Sequence, residues 1–420
     1  MKEIKNELLN EKYYEIDHAS GLKILVMPQA QAQTNYALFG TAFGSADNRF
    51  VFEGKQTNLP DGTAHFLEHK LFESEGRDAF ELFAQTGARA NAYTSFDRTC
   101  YLFSCSCDFY ENLRSLLSFV SQPYFTEETI AKEQGIIAQE IKMYRDSPEW
   151  QASVGLLGAL YHRCAVNTDI AGSVESIAQI TPAHLYTAYH AFYRPENMIL
   201  SICGNVEVRK IVAICDELIK PAEGETGSIA PANEPETVVC KTVLKKMPVS
   251  MPVFAFGYKE KHEAPKSLRE RSETVLLNQI LIGTMSPLYQ ALLEEELIGE
   301  DFSSEYFTSR QNSCVIFSGT GKNAAQIKER FEAEVQRVLK EGIDKELFDC
   351  VIRDMYGTII RSFNAAEDIA TDMYECYASG FGYFDEFELF HQITLDDLQK
   401  RLKEKYNVSR SAISVIEPLE

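Results

Sequence analysis

Short runs of branched and aromatic residues alternate along the chain with longer amphipathic stretches. GLKILVMPQ (21–29) and TNYALFGTAFGSADN (34–48) predict two neighbouring strands. AFELFAQTGA (79–88) has a helical pattern, and ANAYTSFDRTCYLFSCS (90–106) predicts two strands joined tightly at Phe96-Asp97-Arg98. A helical stretch starts near Glu111, breaks at Pro123 and resumes over TEETIAKEQGIIAQEIKMYRD (126–146). There Thr126 offers an N-cap and the acidic first turn suits the helix dipole. SVESIAQITPAHLYTAYHAFYRPENMILSICGNV (173–206) reads as helix, then strand.

PAEGETGSIAPANEP (221–235) has hardly any large apolar residue, the composition of an exposed linker. It separates a domain over 1–220 from a second over 236–420. The second repeats the order of the first. TVLKKMPVSMPVFAFGYKE (242–260) answers the opening strands, SETVLLNQILIGTMSPLYQALLEEELIG (272–299) answers the helix that begins near Thr63, and SSEYFTSRQNSCVIFSGTG (303–321) answers 90–106. CYLFS (100–104) corresponds to CVIFS (314–318), and two amphipathic helices follow in each copy. The pattern predicts an α+β chain of two homologous domains, each a mostly antiparallel sheet covered by helices.

Composition narrows the function. Forty-one Lys and Arg against 62 Asp and Glu give a net charge of −21, which argues against a nucleic-acid partner and an anionic membrane surface. The amino terminus lacks the apolar core of a signal peptide, and no apolar run reaches the roughly 20 residues of a membrane span. Ten cysteines without a C-x-x-C pair predict reduced, mostly buried thiols in a cytoplasmic protein.

TAHFLEHKLFE (63–73) carries the candidate chemistry. Residues four apart stack on one helix face, so His65 and His69 present imidazoles about 6 Å apart, as two ligands of one metal ion require. Glu68 can then reach a metal-held water without being a ligand, in the order H-x-x-E-H. With eight histidines in 420 residues, a chance match has a probability of about 0.02. The second copy is an internal control: it has LLNQILIG at the matching place and no histidine between His262 and His391. A third ligand is sought on the helix after Pro123. Glu133 and Glu140 lie two turns apart, about 10 Å along the axis, so one ion cannot take both, and spacing does not rank them.

HFLEHKLFE, GARANAYTSFDRTCY, KEQGIIAQEIKMY, DIAGSVESIAQIT and FYRPENMILSICGNV occur in that order. In these blocks the chain resembles the insulinase/pitrilysin family of zinc peptidases, the inverzincins, over essentially its whole length. The resemblance implies that His65, His69 and Glu140 bind Zn²⁺, that Glu68 is the general base and that Glu133 supports the site. It implies a clam-like arrangement, and that ANAYTS, with Asn91, Ala92, Tyr93 and Thr94, pairs edge-on with an extended peptide. Family members also carry an Arg and a Tyr seven residues apart in a carboxy-terminal half. The matching positions here are Leu293 and Glu300.

The expected function is therefore zinc-dependent endopeptidase cleavage of short or unfolded peptides, as the catalytic subunit of a heterodimer, in preference to a homodimer, whose homologous partner supplies the Arg/Tyr pair. The alternative is a non-catalytic peptide-binding or scaffold subunit of the same fold.

Overall fold

The computed structural model describes residues 1–74, 77–261 and 267–419. They form two compact units. In the first, β1 (Lys2–Asn6), β2 (Glu11–Asp17), β3 (Lys23–Pro28), β4 (Asn35–Thr41), β5 (Arg89–Thr94), β6 (Thr99–Cys105) and β7 (Met198–Gly204) make a seven-stranded sheet in the order β1-β2-β3-β7-β4-β6-β5. In the second, β8 (Thr242–Met247), β9 (Val253–Lys259), β10 (Ser303–Thr308), β11 (Ser313–Thr320) and β12 (Ser411–Pro418) make a five-stranded sheet in the order β8-β12-β9-β11-β10. The five strands from β3 to β5 thus have the same arrangement as the whole second sheet. Each contains one parallel pair, β3 with β7 and β8 with β12, and every other pairing is antiparallel.

The expectation that 21–29 and 34–48 form adjacent strands is corrected. β7 enters between β3 and β4, pairing Leu200 with Ile24 on one side and with Phe39 on the other. All three are apolar and buried on both faces, as interior strands must be, so nothing local in β3 or β4 marks the interposed strand.

The helices include α1 (Thr63–Leu71), α2 (Phe109–Ser121), α3 (Glu127–Arg145), α4 (Pro148–Leu160), α5 (Pro182–Phe192), α6 (Leu268–Ile282), α7 (Ala324–Glu341), α8 (Lys345–Ser362), α9 (Ala366–Ala378) and α10 (Leu395–Glu404). Against one face of the first sheet, α1, α2, α3 and α5 bury Phe66, Leu67, Leu113, Leu117, Ile137 and Leu185 in a single core. The other face is covered by α9, whose Ile369, Met373 and Tyr374 pack with Leu25, Met27 and Leu38. In the second unit α6, α7 and α10 bury Leu277, Phe331 and Leu402 against Phe256 and Phe317, and α4 covers the opposite face over β9 and β12.

Both units are discontinuous in sequence. Residues Lys142–Thr168, with α4, belong to the second unit, and Ile360–Phe384, with α9, belong to the first. The two covering helices approach through matching glycines. A Cβ at Gly40 of β4 would fall less than 3.0 Å from the Tyr374 ring, and one at Gly257 of β9 would lie 2.7 Å from the Val315 carbonyl and 3.2 Å from Leu156 of α4.

The stretch 221–235 is exposed along most of its length, but Glu234 is buried. Its carboxylate accepts from Lys259 Nζ at 2.5 Å and from the backbone amides of His162, Arg163 and Cys164. Lys259 also donates to the carbonyls of Leu160, Pro235 and Thr237 and lies over the Tyr161 ring. The ten cysteines are free thiols, six of them buried. Among the described residues no helix is long and apolar enough to cross a membrane.

Candidate metal centre

Every residue of α1 except His69 is buried, and Phe66, Leu67 and Leu71 anchor the helix in the first core. With its apolar side held there, the i, i+3, i+4 spacing turns His65, Glu68 and His69 to a common side. The two imidazole centroids are 4.7 Å apart. On α3 the buried Ile130, Ile137 and Ile141 recur at helical spacing and fix the rotation of the helix about its axis. Glu133 falls on that buried stripe, and Glu140 lies two turns further on.

The two glutamates that spacing left unranked stand in different places. Glu140 faces both histidines, with Oε1 3.5 Å from His65 Nε2 and Oε2 3.4 Å from His69 Nε2. Glu133 meets the other side of His69, its Oε1 2.9 Å from Nδ1. Thr94, at the end of the edge strand β5, donates from Oγ1 to Glu68 Oε2 at 2.7 Å.

The donor atoms of His65, His69 and Glu140 lie within 4.8 Å of one another. Tetrahedral ligands at about 2.05 Å from zinc stand about 3.3 Å apart, so the two histidine–carboxylate separations have the size such an ion requires. Two imidazoles and one carboxylate form a familiar catalytic zinc donor set, with a fourth position left for water. The bond from His69 Nδ1 to a carboxylate turns Nε2 toward Glu140, as a carboxylate–histidine–metal relay does. Nδ1 of His65 is buried and has no hydrogen-bond partner among the described residues. The donor set fits zinc.

Electrostatics follow from burial and these contacts. Burial raises the pKa of Glu68, against the neighbouring His65 and the Thr94 hydrogen bond, which lower it. Burial opposes a charged His69, yet the hydrogen bonds with Glu133 and Glu140 outweigh it and push its pKa up to about 10 in the metal-free protein. Zinc would displace that proton.

Of the four strand residues expected to meet a peptide, Thr94 is turned to Glu68, while Tyr93 points to the opposite face and donates to Glu375 of α9 at 3.4 Å. Asn91 is exposed and its side chain accepts from the Ala92 amide; Ala92 is half-buried. β5 pairs with β6 on one side and ends the sheet on the other. Sequence reasoning missed the Thr94–Glu68 bond. It also missed the buried Tyr101–Tyr193 hydroxyl pair at 2.8 Å, whose ionisation Glu68 opposes after burial itself. Strand alternation could have placed Thr94 opposite Tyr93, but no local signal selects Glu68 as its acceptor.

A duplicated α+β chain whose H-x-x-E-H helix faces a glutamate-bearing helix defines the inverted zincin class of metallopeptidase fold. Comparison with known proteins agrees. The model of the insulinase family, peptidase family M16, matches residues 54–174, and that of the peptidase M16 inactive domain matches 179–355. The chain is 36% identical to an uncharacterized zinc protease of Bacillus subtilis, YmfH, over 100% of its own length and 99% of the relative's. A solved structure from Alicyclobacillus acidocaldarius, described as M16-like, superposes with a TM-score of 0.94 at 31% identity, covering 99% of this chain and 100% of the other. The periplasmic protease PqqL of Escherichia coli shares the fold at a TM-score of 0.75 and 17% identity; 99% of this chain matches 48% of that one. The chain belongs to the insulinase family, peptidase family M16.

Proposed function

We propose that the chain is the catalytic subunit of a zinc-dependent endopeptidase acting on short or unfolded peptides, paired with a homologous second subunit. The observation that carries this reading is the convergence of His65, His69 and Glu140, with Glu68 beside them. These three would hold Zn²⁺, which when bound supplies Lewis acidity and lowers the pKa of its water toward about 7.

The protein's own groups do the rest. Glu68, held by Thr94, takes up the proton of the attacking water and returns it to the leaving amine; burial, which raises its pKa, suits a carboxylate that must carry a proton between steps. Glu133 keeps His69 in one orientation. The edge of β5, from Asn91 through Ala92 and Tyr93 to Thr94, offers backbone groups to an extended peptide. The net charge of −21 favours basic peptides.

Two observations support a second subunit. Leu293, at the place where the family has an arginine, packs against the apolar core of the second unit and has no charge to offer a substrate. The length of the chain is about half that of PqqL, which has the same fold over 48% of its chain. The same leucine favours the second reading, a zinc-stabilised peptide-binding subunit without turnover.

Cleavage of a quenched-fluorescent peptide library by the zinc-loaded chain, alone and with a homologue bearing the Arg/Tyr pair, tests the proposal. Glu68→Gln should abolish turnover and leave one equivalent of zinc bound. Silence in every combination with zinc in place would sink the peptidase reading in favour of the binding subunit.

A further inference from the structure

The second unit contains a pocket of about 380 Å³ that is separate from the metal group. The end of β9, α6, α10 and the turn after it line it with Arg401, Lys405 and Arg410, each 8% exposed. Besides Lys259, which Glu234 neutralises, these three buried cations in one place need compensation, because an unpaired buried charge is costly.

Two of the three have it. Arg401 donates from Nη1 to Glu270 at 3.2 Å and from Nε and Nη2 to the Thr274 hydroxyl. Glu404 stands 3.9 Å from its Nη1, but is largely exposed. Lys405 is ion-paired with Glu260 and lies 4.5 Å over the Tyr306 ring. Arg410 differs. Its Nε and Nη1 are buried and donate to no acceptor among the described residues, and the Glu236 carboxylate, 3.8 Å from Nη1, sits on a side chain that is 65% exposed.

We propose that this pocket binds an oxyanion, the phosphate or carboxylate group of a small ligand, which accepts hydrogen bonds from Arg410. Guanidinium groups suit both anions. The lining carries five cationic residues, Lys259, Lys261, Arg401, Lys405 and Arg410, against three carboxylates, Glu260, Glu270 and Glu404, although the whole chain is acidic. The walls are preformed: Tyr258 is held by its hydroxyl on Glu332 at 3.0 Å, and Tyr406 by its hydroxyl on Asn278 at 2.7 Å. The volume is at the small end of ligand pockets and suits a small molecule.

The test is isothermal titration of the full chain with inorganic phosphate and, separately, with succinate, at constant ionic strength so that screening does not imitate binding. One of the two should saturate at one equivalent; which one does identifies the anion as phosphate or carboxylate. Arg410→Gln should weaken that binding by roughly tenfold or more, Arg410→Lys by less, and Arg114→Gln, at an exposed arginine, should leave it unchanged. If neither anion saturates on the wild-type chain, or if Arg410→Gln and Arg410→Lys bind as tightly as the wild type, the proposal is overturned. The wild-type titration decides the matter even if a variant does not fold.

Discussion

Replacing Lys259 with methionine should destabilise the second unit by about 3–5 kcal/mol, the cost of breaking a buried ion pair by removing one partner. Lys259 and Glu234 are essentially inaccessible, with side chains 1% and 0% exposed. The three N–H donors of the lysine are shared among four acceptors, and its removal leaves a buried carboxylate with only the three backbone amides. A second route gives a similar size. Burial raises the pKa of Glu234, but the hydrogen bonds from Lys259 and the His162 and Arg163 amides outweigh it and hold the group at about 2, against an ordinary 4.5. That difference corresponds to about 3 kcal/mol, an upper bound on the share of Lys259 because the amides contribute to it. Because the folded pKa is depressed, this stability is present above pH 4.5 and is lost as pH falls toward 2. The one tryptophan of the chain, Trp150, stacks on Tyr144 and lies on α4 in the second unit, so its fluorescence in a urea titration follows that unit. A loss under about 1 kcal/mol at neutral pH in Lys259→Met would refute the reasoning. Adding Glu234→Gln should recover part of the loss, since the stranded charge goes with it.

Glu133→Ala should weaken zinc binding about 10- to 100-fold in a chelator competition, and Glu133→Gln less, because the amide oxygen still accepts from His69. Thr94→Val should lower kcat/KM by roughly tenfold with zinc content unchanged, while Thr94→Ser stays near wild type; equal losses in both would show that the hydroxyl is not what matters. Gly40→Ala should cost about 1–3 kcal/mol in thermal or chemical melts by forcing α9 off the sheet, and a smaller residue at Tyr374 should relieve it.

Features set by local geometry were legible in the sequence. The histidine pair and Glu68 lie within five residues, and helical spacing alone puts them on one side. The choice between Glu133 and Glu140 was not legible from spacing, because it depends on how α3 is turned against α1, which Ile130, Ile137 and Ile141 set through a core assembled from distant segments. The same limit explains β7, which pairs between two strands about 170 residues earlier. It also explains Glu234, an acidic residue in a polar stretch whose buried partner is a lysine at the end of a strand. The apolar side of α9 recurs at helical spacing, whereas α4 is apolar nearly all round and its periodicity marks no face; neither pattern shows which sheet the helix would cover.

That exchange of helices has a consequence for synthesis. The apolar side of α4, with Ala152, Leu156 and Leu160, leaves the ribosome long before its sheet exists. The last strand it covers, β12, ends at Pro418, roughly 260 residues after Leu160. At about 5–20 residues per second the helix stands uncovered for about 10–50 s. For that interval the nascent chain offers a greasy helix to whatever is near it, and the second unit closes only once β12 has been made.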